Sequence, residues 1–157
     1  MKTIFFAVFF CFFLIVGANA DAMSSSQKKV DSGNPGRRFY LDEGRLQKNI
    51  ASAKSGNLSA ISKLANHYQW AVSDRARAIY WLREGARLND PWAMVNLASL
   101  LEVGGNEADC KEAEVLLVKA SRSVVSPELK PIALDHLKTL REGFEGQGAC
   151  LKWLRKK

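Results

Sequence analysis

The side chains of this 157-residue chain that could do chemistry are few and scattered. Its two histidines, His67 and His136, lie on separate apolar-periodic stretches. Neither has a second metal-ligating residue three or four positions away, the spacing by which one helix face offers two ligands. Both read as exposed or half-buried helix residues. Cys110 and Cys150 have no partner histidine at a recognisable spacing, and no serine sits in a nucleophile elbow. Carboxylates occur as Asp42-Glu43, Glu112 with Glu114, and Glu142 with Glu145, which could in principle do acid–base work. Lysines and arginines accompany them on helical stretches, where solvation or pairing is the commoner fate. The segment GFEGQG near the C-terminus has three glycines, but no strand precedes it and the spacing is not that of a phosphate loop. The expectation is a protein that is not an enzyme and uses no cofactor or metal.

The first residues, MKTIFFAVFFCFFLIVGANA, place one lysine before an apolar run from Ile4 to Val16 and close on small residues. That is the layout of a signal peptide, shorter than the roughly 20 apolar residues of a membrane span. Cleavage is expected after Ala20, with Ala22 as the other candidate and an uncleaved anchor as the alternative. Cys11 lies inside the apolar run and is not placed for acylation. The mature chain is then expected in the periplasm, or secreted as the second choice, with no stable membrane insertion. The net charge of +7 includes Lys2 of the signal. Such a surplus suits an acidic protein or anionic lipid as readily as nucleic acid, and export argues against nucleic acid.

Residues 21–38 are rich in Ser, Lys, Gly and Asn with almost nothing apolar, and read as a linker. From Phe39 the pattern becomes helical, and no stretch alternates with period two. A leading helix is expected over 39–55, followed by helical hairpins over 57–88, 90–122 and 126–157. Asn89-Asp90-Pro91 marks a helix start and Gly104-Gly105 a left-handed stop. Internal repetition supports the division. Ala60, Leu64, Ala65 and Tyr68 fall on Ala93, Leu97, Ala98 and Leu101 at a step of 33 residues. Ala78, Trp81, Leu82 and Gly85 fall on Ala113, Leu116, Leu117 and Ala120 at a step of 35. A third, degenerate copy places Leu137 on Leu97 and Cys150 on Cys110 at a step of 40. A single helical hairpin cannot cover its own apolar face, so neighbours must stack, with small residues where helices approach. The fold class expected is all-α, a short α–α solenoid of stacked antiparallel hairpins.

The segments AISKLANHY, DRARAIYWLREGARLNDPWAMVNLASLL and CKEAEVLLVKAS resemble Sel-one-like repeats, relatives of the tetratricopeptide repeat. The match covers Asn57 to Arg87 and Asp90 to Arg122, while QWAVS replaces the glycine-rich inter-helix loop in the first copy. This resemblance implies a scaffold that binds a protein partner. Small exported members of the family with this plan serve as immunity proteins that neutralise antibacterial toxins, so a cognate secreted toxin is the sharpest partner it implies. The alternative is an envelope scaffold held at a membrane surface by Lys152, Arg155, Lys156 and Lys157.

Removal of the signal leaves Cys110 and Cys150 at equivalent places in successive second helices, where a bridge would suit an oxidising compartment. Two buried free thiols are the alternative. Helix geometry also nominates a binding face one third of a turn from the core. It comprises Ser59, Ser62, Asn66, Gln69 and Trp70 in the first repeat, and Trp92, Val95, Ser99 and Glu102 in the second. Trp92 is its aromatic anchor, unless it caps the hairpin interface instead.

Overall fold

The computed structural model describes residues 35–142 and 150–154. The expected signal peptide with Cys11, linker residues 21–34, the whole GFEGQG segment with Ala149, and the basic residues 155–157 lie outside the described residues. Among the described residues the chain is all-α, with no strand.

Local capping chemistry sets the helix boundaries. A 3-10 helix, Pro35–Phe39, precedes α1 (Glu43–Lys54). The leading helix therefore starts later than the apolar periodicity suggested, because the Asp42 carboxylate accepts from the Arg45 N–H at 2.9 Å and fixes the first turn there. Residues 35–38, read as linker, belong to that 3-10 helix. Helix α2 (Leu58–Asn66) opens on Asn57, whose side chain accepts from the Ala60 N–H at 2.9 Å, and runs into a single π-type turn, His67–Ala71. Ser73, in the left-handed region at φ 59°, then turns the chain toward α3 (Arg75–Arg87), capped by Asp74. Helix α4 (Pro91–Gly104) starts with Asp90 as cap and Pro91 in its first turn, and stops at Gly105 with φ 62°. Helices α5 (Glu107–Ser121), α6 (Leu129–Glu142) and α7 (Leu151–Leu154) complete the stack.

The principal helix contacts join α-helices no more than two places apart along the chain, the arrangement of a solenoid. The repeat positions behave alike with one exception. Ala60, Leu64, Ala65 and Tyr68 are buried, as are Ala93, Leu97, Ala98 and Leu101; Ala78, Leu82 and Gly85 are buried, as are Ala113, Leu117 and Ala120, whereas Trp81 is buried and its counterpart Leu116 only half-buried. Gly85 shows why one of these sites must be small. A Cβ there would stand 2.6 Å from the Ala93 Cβ and 3.4 Å from Ile61 Cγ2, so α3 meets α4 at backbone range.

Polar links tie successive hairpins together. Arg83 of α3 forms a two-point contact with Glu112 of α5 at 3.0 and 2.7 Å, and Arg141 of α6 meets Glu114 of α5 at 2.8 Å. In the first-helix series, His136 Nε2 of α6 lies 3.1 Å from a Glu102 carboxylate oxygen of α4. The second-helix series is closed covalently by the Cys110–Cys150 disulfide. Next to it, the Trp153 indole donates to the Gly105 carbonyl at 3.0 Å.

Candidate protein-binding face

Exposure separates the first helix of each repeat into a core side and a free side. On α4 the exposed side chains are Trp92, Asn96, Ser99 and Val103, spaced four, three and four, which is one stripe of an α-helix. Their counterparts 33 residues earlier are Ser59, Lys63, Asn66 and Trp70, all exposed except the half-buried Asn66. On α6, 40 residues beyond Trp92, Ile132 is exposed, and Thr139 answers to Ser99. The two indoles are the largest apolar groups in this register, with Trp92 49% and Trp70 52% accessible.

The sequence-nominated residues divide against this stripe. Ser59, Ser62, Trp70, Trp92 and Ser99 are exposed, and Asn66, Gln69 and Glu102 are half-buried. Val95 is not on the face: only 6% of it is accessible and it belongs to the core. The reason is that α4 is flanked by α3, α5 and α6 together, which leaves a narrower free arc than an end-of-stack helix has. Glu102 is occupied by His136, and the Ser99 hydroxyl donates to the Val95 carbonyl at 3.3 Å. The residues missed were Lys63, Asn96, Val103 and Ile132. A step of four rather than three from Trp92 would have found Asn96, and the 33- and 40-residue steps then give the others.

His67 also departs from its reading as an exposed or half-buried residue. It is buried, with Tyr40 and Tyr68 rings at 5.7 and 5.0 Å, and its Nδ1 accepts the Leu41 N–H at 3.1 Å. Burial pushes its pKa below the ordinary histidine value, partly opposed by a hydrogen bond to the Phe39 backbone. The apolar run Phe39-Tyr40-Leu41 just before α1 was the available signal, since it had to cover something.

Chemically, the stripe offers hydroxyls, carboxamides, one ammonium and two half-exposed indoles. Covering half of a Trp side chain is worth about 2–3 kcal/mol by area, and each indole N–H can donate to a partner. Among the described residues no group of three or more His, Cys, Asp or Glu could hold a metal ion, and no helix is long and apolar enough to cross a membrane. Compared with the profiles of known families, with characterised proteins and with solved structures, the chain matches none.

Proposed function

We propose that this chain is an exported, non-catalytic protein-binding module. Its partner sits across the first-helix stripe, anchored by Trp92 and Trp70. The observation that carries this reading is the pair of half-exposed tryptophans in repeat-equivalent stripes that are otherwise mainly polar. Buried aromatic anchors ringed by polar groups are the usual energetic centre of a protein interface. The resemblance of the repeats to the Sel-one-like family supports the same reading. So do the signal-peptide layout of the first twenty residues and the cysteine pair, which together favour the periplasm. In its sharpest form the partner is a secreted antibacterial toxin that the chain neutralises. Immobilised mature chain, challenged with the envelope fraction and with secreted proteins encoded beside its gene, should retain one partner at stoichiometric level. The Trp92→Ala chain should lose it. Retention of no protein by the native chain, or equal retention by both, contradicts the proposal.

A further inference from the structure

Away from the first-helix stripe, the described residues of α5, α6 and the loop between them form a concave seam. A groove of about 410 Å³ is lined by Glu114, Val115, Val118, Lys119, Arg122 and Arg141. A second concavity of about 600 Å³ shares Arg122 and reaches Val124, Lys130 and Leu134. Volumes of this size fall within the roughly 300–1,000 Å³ of protein clefts that take a ligand or side-chain cluster. The apolar part is exposed to water: Val115 is 66%, Val124 90% and Leu134 46% accessible. The charged part is one-sided. Arg141 is committed to Glu114, whereas Lys119, Arg122 and Lys130 make no ion pair among the described residues. Three cations with no ion-pair partner among the described residues thus border two valines and a leucine.

We infer that this seam is a second docking site, for an acidic amphipathic segment of a partner protein. Its apolar side chains would enter the groove between α5 and α6, and its carboxylates would meet Lys119, Arg122 and Lys130. A helix that lays apolar residues at three- and four-residue spacing into a groove is a recurrent recognition mode. The concavity selects this occupant over a bilayer. A lipid surface is nearly flat and leaves a groove unfilled, while side chains projecting from a helix fill it. The site is independent of Trp92, because all its residues belong to α5, α6 and the loop between them.

The probe is a fluorescein-labelled helical peptide with leucines at three- and four-residue spacing among glutamates, titrated into the full chain by anisotropy. Saturable binding that weakens as salt rises from about 50 to 500 mM is expected. Lys119→Glu with Arg122→Glu should weaken it at least tenfold, whereas Trp92→Ala should leave it unchanged. That second arm separates a failure here from a failure of the first-helix face. Three results would each overturn the inference. These are equal binding of a peptide with lysines in place of the glutamates, salt-insensitive binding, and binding to phosphatidylglycerol vesicles with none to the peptide. Both substituted residues are exposed, and an unchanged helical circular dichroism spectrum establishes that the double variant folds.

Discussion

Nδ1 of His67 receives the backbone N–H of Leu41 across 3.1 Å, 26 residues back in the chain, and this bond makes the imidazole an internal cap for the segment that leads into α1. Only a ring unprotonated at Nδ1 can accept it. Burial lowers the folded pKa of His67 below its unfolded value, so the native state binds fewer protons than the unfolded chain as pH falls. The resulting stability is fully present above about pH 6.5, the ordinary histidine value. It is lost progressively as pH drops from there through the lower folded pKa. Thermal unfolding should therefore show a Tm that falls between about pH 7 and about pH 5, with cleavage by added protease appearing first around residues 35–41. His67→Gln, which keeps an acceptor but does not titrate in this range, should flatten that part of the profile. A flat profile in the unsubstituted chain would remove His67 from this role.

The Cys110–Cys150 bridge closes a loop with a sequence separation of 40 residues and is the covalent tie between α5 and the start of α7. Chain entropy alone assigns such a loop about 4 kcal/mol of stability. Intact mass of the oxidised chain should lie two hydrogens below the reduced value, and Cys150→Ser should lower the urea midpoint and raise the slope, because the unfolded chain without the cross-link exposes more surface. Reaction of both thiols with maleimide under native conditions would count against the bridge.

Gly85→Ala offers a direct reading of the α3–α4 approach. In a free helix the change gains about 1 kcal/mol. Here the new methyl would meet the Ala93 Cβ at 2.6 Å, so a net loss of about 1–3 kcal/mol is expected. Ala93→Gly should cost less in the Gly85→Ala background than alone, by a double-mutant cycle on chemical denaturation. Simple additivity would mean that the two helices have room to separate.

Local chemistry was legible in the sequence and long-range occlusion was not. Asp90-Pro91 and Gly104-Gly105 act within one turn of themselves, so the start and stop of α4 follow from the residues alone. The buried positions of the two main repeats follow from their 33- and 35-residue steps, because equivalent places in stacked hairpins meet equivalent neighbours. Val95 did not, since the width of the free arc of α4 depends on α6, which reaches it from His136, 34 residues beyond Glu102. His67 failed for the same reason, its acceptor role being set by Leu41. The start of α1 was misplaced because Phe39 continues the apolar rhythm while Asp42 supplies the cap.

Val95 supplies a check on this correction. Val95→Ala should lower stability by about 1–3 kcal/mol, the range for removing buried methyl groups, and leave partner affinity nearly unchanged once the folded fraction is taken into account. Weakened binding with an unchanged Tm would put Val95 back on the face.

Titration calorimetry of the retained partner against the unsubstituted chain, Trp92→Ala and Asn66→Arg, run beside thermal melts of the same samples, bears most directly on the proposed first-helix face. Each substitution should weaken binding at least tenfold, about 1.4 kcal/mol, while Tm stays within a few degrees. Unchanged affinity in both variants would remove Trp92 and Asn66 from the interface, and a loss of helicity that tracks the loss of binding would place Trp92 in the fold; either result contradicts the assignment.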